Sequence, residues 1–331
     1  MKKYIGFLLL LIVSQHLIAQ TNFKVINTYH IASAGGWDYI AVHANKLYVS
    51  HGMQVNILNK DNGDSVGVIP GTIGVHGIAF DDELGRGYTS NGRLNNVFVF
   101  DLKTNNILDS IATGKNPDAI MYEPSIKKII TCNGRSNDLS VIDPASNKVV
   151  STIAVPGKPE TATGDGSGKL FVNIEDKNSI VMIDLKSMTV LETWSLNDGE
   201  EPTGLCYDKK TKRLFAGCNK LLVVVDATNG KVMAKVDIGE GCDGVAFDNA
   251  TGMIFTSNGK DGNMSVIKEN TNGQFTLLGN VTTKKSGRTI TIDESTHAIY
   301  IPAADIEASP TPGQRPRMVP GTFQVLVVKD I

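Results

Sequence analysis

Several things are scarce in this chain, and each scarcity excludes something. Among 331 residues there are six His, two Trp and four Cys, and aromatic residues make up 6%. So few aromatics leave little with which to stack nucleic-acid bases. Neither charge sign dominates: 32 Lys and Arg stand against 34 Asp and Glu, for a formal charge of -2. The basic domain that usually marks a nucleic-acid-binding protein is therefore missing. No GxSxG elbow, Walker loop or HExxH pair occurs, and no GxGxxG fingerprint opens a helix, which removes the local signatures of serine hydrolases, nucleotide binders and zincins. Beyond residue 20 no segment carries a helical 3.6-residue period.

The longest apolar run near the start, Ile5 to Val13, is shorter than the roughly 20 residues a bilayer-spanning helix needs. It follows Lys2 and Lys3 and precedes Leu17-Ile18-Ala19. Basic flank, short apolar stretch and small residue together predict a secretory signal over residues 1–19, cut between Ala19 and Gln20. The first cysteine is Cys132, so no lipid-attachment site lies near the cut. The expected product is residues 20–331, a single domain and a monomer, periplasmic or secreted, with no transmembrane segment. The cysteines at 132, 206, 218 and 242 fit neither a zinc pattern nor a CxxC redox motif. They read as buried small hydrophobes or, in an oxidising compartment, as including one disulfide.

What is present is a repeat. WDYIAV at 37, VHGIAF at 75, PDAIMY at 117, PETATG at 159, EPTGLC at 201, CDGVAF at 242 and GRTITI at 287 each open an alternating apolar segment. The spacing is close to 40 residues, the period of propellers and solenoids. Each copy holds four β-type segments. In the third they are AIMYE, KIITC, LSVID and VVSTIAV, joined by PSIK, NGRSND and PASNK. A strand-only unit of this length cannot cover both of its faces alone, so the copies must stack around a channel. The seventh copy supplies only RTITID, AIYIP and FQVLVVKD, while FKVINTYHI at 23–31 precedes the first. The prediction is an all-β, seven-bladed β-propeller with four-stranded antiparallel blades, its ring closed by the N-terminal strand completing the last blade.

The motifs GKNPDAIMY, KLYVS, KLFVN, RLFAG, SVIDP and VMIDL resemble the YVTN-type repeat of the YncE-like propeller family, and the resemblance extends over the mature chain. It implies the same fold and a binding module, and leaves the ligand open.

Hairpins joining strands one to two and three to four are short and regular, and lie on one side of the blades. The connections from strand two to three, and between blades, lie on the other and are irregular, which is where function tends to sit. At the channel mouth on that side fall Asp38, His76, Asp118, Glu160, Thr203, Asp243 and Arg288, with Trp37 beside them. These are candidate ligand contacts, or polar groups that serve only to satisfy free backbone. Three near-copies, TSNGR at 89, TCNGR at 131 and TSNGK at 256, read as Asn-Gly hairpins in which both central residues need positive φ. Arg93, Arg135, Lys177, Lys220 and Lys260 follow the second strands and are expected to form a basic rim that draws an anionic group. By the same alignment Cys218 and Cys242 meet on one rim and form the candidate disulfide. In the last blade residues 303–321 replace a short turn; four prolines with Arg315 and Arg317 predict a stiff loop outside the sheet, poised to fold over the mouth.

The functional expectation is a binding or interaction propeller without a cofactor, recognising a small anionic molecule, a peptide or a protein on its loop-bearing face. Nucleic acid is disfavoured. The alternative is a metal-assisted, lactonase-like hydrolase or lyase with a divalent ion held by His76, Asp118 and Glu160, and His51 in the same sector.

Overall fold

The computed structural model describes residues 21–270, 273–308 and 316–331. The expected signal segment lies outside them. Seven four-stranded antiparallel sheets form the blades. Blade 1 contains Trp37–His43, Lys46–His51, Gln54–Asn59 and Ser65–Pro70, and blades 2 to 6 repeat this order from Val75, Pro117, Pro159, Gly204 and Cys242. Inner strands pack on their neighbours all the way round, blade 7 against blade 1 included. One single-turn 3-10 helix, Glu175–Lys177, interrupts the strands. Among the described residues no helix is long and apolar enough to cross a membrane.

Alternation drives the packing. Successive strand residues point to opposite faces, so Leu47 and Val49 pack towards blade 7 while Tyr48 packs towards blade 2. Seven buried clusters result, one in each gap between blades. A blade has no core of its own; it acquires one from both neighbours.

Ring closure follows the expected route. Phe23–His30 pairs antiparallel with Gln324–Asp330, which pairs with Ala298–Ala303 and, through it, with Thr291–Asp293. Lys60 of blade 1 reaches Asp293 of blade 7 at 2.6 Å, and the hydroxyls of Tyr29 and Tyr300 both donate to the Lys60 carbonyl, at 3.0 and 3.1 Å. The regular face is held by carboxylate-capped turns: Asp101 accepts from the Lys103 and Thr104 amides at 2.9 and 2.7 Å, and Asp226 repeats the pattern on Thr228 at 2.8 Å.

Candidate functional site at the channel mouth

In five blades the first two strands lose register at the start of the inner strand, between Trp37 and Ile40, Val75 and Ile78, Pro117 and Ile120, Pro159 and Ala162, and Cys242 and Gly244. Extra residues in a ladder bend the strand and re-aim side chains. The residues left unpaired include Asp38, His76, Asp118, Glu160 and Asp243, which the irregularities deliver to one cavity of about 1170 Å³ together with Trp37, Thr203 and Arg288. Neighbouring hydroxyls hold the bent backbone. Ser50 Oγ donates to the Tyr39 carbonyl at 2.9 Å, Thr203 Oγ1 to that of Cys242 at 2.9 Å, and Thr289 Oγ1 to that of Asp38 at 2.5 Å.

The charges fall into three groups. Arg288 Nε lies 2.7 Å from Asp243 Oδ2 and its Nη2 3.5 Å from Asp38 Oδ1. Lys158 contacts Glu160 at 3.3 Å and pairs with Glu175. His76 Nδ1 lies 2.5 Å from Asp38 Oδ2 and 3.5 Å from Asp118 Oδ1. Burial and the Asp38 charge push Asp118 up to about 7, and burial with the Asp118 charge raises Glu160 well above the usual carboxylate range. Burial alone would lower the His76 pKa, but the Asp38 hydrogen bond and the two aspartate charges raise it. Tyr39, which donates to or accepts from Thr161 Oγ1 at 3.3 Å, is kept neutral by burial and by Asp118, Glu160 and Asp38.

Lys158, Glu175 and Tyr39 were not among the candidate residues read from the sequence. Glu175 had a visible signal: it stands where blades 2, 3 and 6 have the Gly of Asn-Gly, so one blade puts a carboxylate where three have no side chain.

Several expected placements are corrected. Of the basic rim, Lys260 lines the cavity, whereas Arg93, Arg135, Lys177 and Lys220 do not. Lys177 also pairs with Asp176 at 3.4 Å, and Lys220 and Lys260 share Glu240 at 3.0 and 3.3 Å, so much of their charge is already answered. His51 is buried away from the mouth: its Nδ1 contacts Ser33 Oγ at 2.6 Å, its Nε2 the Gly35 carbonyl at 2.8 Å, and its ring stacks on Phe323 at 3.9 Å. The metal-ligand geometry gathers Asp38, His76 and Asp118; Glu160, expected in that set, is drawn off by Lys158. Cys218 and Cys242 are unbridged, as are the other two cysteines.

The Asn-Gly pairs are not the expected hairpins. Among positive-φ residues are Asn95, Asn137 and Gly262, each three or four residues after the pair, and neither member of the pairs at 91, 133 and 258 is among them. Instead the asparagines are fully buried. Thr131 Oγ1 donates to Asn133 Oδ1 at 3.1 Å, and Asn133 Nδ2 donates to Asp138 Oδ1 at 2.6 Å and Ser140 Oγ at 2.9 Å. Blades 2 and 6 repeat the arrangement. The pair is an internal clasp across strands two and three.

The insertion of the last blade pairs Ile306–Glu307 with Arg317–Met318 as a separate two-stranded ribbon outside the blade sheet. Ile306, Glu307, Ala308, Pro316 and Met318 line the cavity, so the described ends of the insertion do border the mouth. Residues 309–315 lie outside the described residues.

No family model and no curated protein matches the chain. Among solved structures it is similar to Kuenenia stuttgartiensis hydrazine synthase, with a TM-score of 0.72 and 15% identity over 82% of this chain and 94% of that one. At that identity the likeness bears on the fold, and with the seven blades it establishes this chain as a β-propeller.

Proposed function

We propose that the chain is an extracytoplasmic binding propeller of the YncE-like group its repeats resemble, and that its mouth cavity takes a small ligand bearing positive charge. One observation carries this reading. Seven Asp and Glu residues line the cavity against four Lys and Arg and one His, and Asp118, the most buried of the seven, has His76 at 3.5 Å as its nearest basic partner among the described residues. Unpaired buried carboxylates are costly, and a cation entering the mouth would relieve that cost. The anionic ligand expected from a basic rim has less support, because Arg93 and Arg135 stand outside the cavity.

The test is thermal shift of the mature chain against panels of amines, guanidinium compounds, metal ions and anionic metabolites. A saturating ligand at about 100 times its Kd stabilises by about 2.7 kcal/mol, and Asp118→Asn should abolish that gain. Stabilisation by anions alone, unaltered in Asp118→Asn, would sink the reading.

A further inference from the structure

We propose that Asp38, His76 and Asp118 together form a binding site for a divalent first-row transition-metal ion. The proposal deepens the reading of the mouth as a site for positive charge and rests on it. The three residues occupy the same register position in blades 1, 2 and 3, each within the irregular start of an inner strand. Three adjacent blades thus converge on one point.

The donor atoms all lie within 4.8 Å of one another, with His76 Nδ1 at 2.5 Å from Asp38 Oδ2 and 3.5 Å from Asp118 Oδ1. Nitrogen and oxygen ligands sit about 2.0–2.2 Å from zinc, which spaces them roughly 3–3.5 Å apart. Small side-chain movements reach that spacing. Asp118 supplies an independent indication. It is 8% exposed and lines the cavity, yet among the described residues its carboxylate accepts no hydrogen bond, and its ion pair is the 3.5 Å contact with His76. A carboxylate this deep is ordinarily satisfied; a metal ion would satisfy it.

Donor chemistry narrows the ion. An imidazole nitrogen with two carboxylates suits zinc, manganese or cobalt better than magnesium or calcium, which favour all-oxygen shells. Room for the ring comes from Gly92, where a Cβ would fall 2.6 Å from His76 Nε2. Three protein ligands beside a cavity of about 1170 Å³ leave coordination positions open to a further ligand. Arg288 is the nearest competing cation, at 3.5 Å from Asp38 Oδ1.

The experiment is titration of chelator-treated mature protein with Zn²⁺ and Mn²⁺ by calorimetry, and with Co²⁺ by visible absorption. One equivalent is expected, with Co²⁺ showing ligand-field bands. Asp118→Asn and His76→Gln, each checked for a folded β-sheet spectrum, should weaken binding by more than about 100-fold, beyond the cost of losing an outer-shell partner. His297→Gln, a histidine on the opposite face paired with Asp248, should bind as the parent does. Absence of a bound equivalent, or binding indifferent to Asp118→Asn and His76→Gln, overturns the metal site. If in that case amines still stabilise the parent and fail on Asp118→Asn, the cation-binding mouth survives without its metal; if they do not, both fall.

Discussion

Asp118 is the residue at which burial and charge most directly oppose each other. Raised to about 7 by burial and by Asp38, it favours the protonated form in the fold. Below the unfolded value near 3.8 its contribution to stability is fully present, and it is lost as pH rises towards 7, because the unfolded chain there binds fewer protons than the folded one. His76, also raised, acts in the same direction above its unfolded value of 6.5. Asp118→Asn should therefore be more stable than the parent at pH 8, by on the order of 2 kcal/mol, and the gain should shrink at pH 5; thermal midpoints at the two values check it. The clasp glycines separate by the same local logic. A Cβ at Gly134 meets nothing closer than 3.6 Å, whereas one at Gly92 meets His76 at 2.6 Å. Gly134→Ala should leave the midpoint and the mouth intact, and Gly92→Ala should disturb ligand or metal binding. Asn-Gly was legible as a repeated motif, but its role was not. Thr, Asn and the partner across the strand form a clasp only once two strands are in register, and sequence alone favoured the commoner local use of Asn-Gly in a turn.

Among the elements, the blade built from both ends of the chain carries the closure. Burial would raise the Asp293 carboxyl, but hydrogen bonds from Lys60, Ser295 and Thr296 bring it down to about 2. Its stabilising contribution is present above the unfolded value of 3.8 and is lost as pH falls towards 2. Lys60→Met removes one partner of a buried pair and leaves the Asp293 charge without its cation, held by Ser295 and Thr296 alone, which should cost about 3 kcal/mol at neutral pH, with the deficit narrowing in acid. Chemical denaturation at pH 7 and pH 3 measures both. Strand identity, number and sharing were readable because alternation and turn residues are local properties. The register shifts were not, since a ladder slips only relative to a partner strand, and those shifts are what bring Asp38, His76 and Asp118 to one point.

At the scale of the whole molecule, the ring decides which charges matter. Seven interblade clusters hold the blades radially, so residues far apart in sequence share one mouth while others from equivalent turns stay outside it. Arg93 and Arg135 are exposed and outside the cavity, and exposed charges that do not converge contribute about 0–1 kcal/mol. The double substitution Arg93→Ala, Arg135→Ala should leave the affinity for any mouth ligand within about fivefold in isothermal titration, a contrast with the loss expected for Asp118→Asn.

Composition, period and alternation by themselves determined the all-β class, the seven blades and the closing strand, because a repeat near 40 residues without helices has few ways to cover both faces of a sheet. They also placed Asp38, His76, Asp118, Glu160, Asp243 and Arg288 around one opening. Tertiary structure decided the rest: that Lys158 takes Glu160, that Arg288 takes Asp243, that His51 is spent on packing against Phe323, and that Asp38 and Asp118 remain on either side of His76. Which charge answers which depends on distances of a few ångströms between blades, and those are set by the register of each inner strand and the closure of the ring.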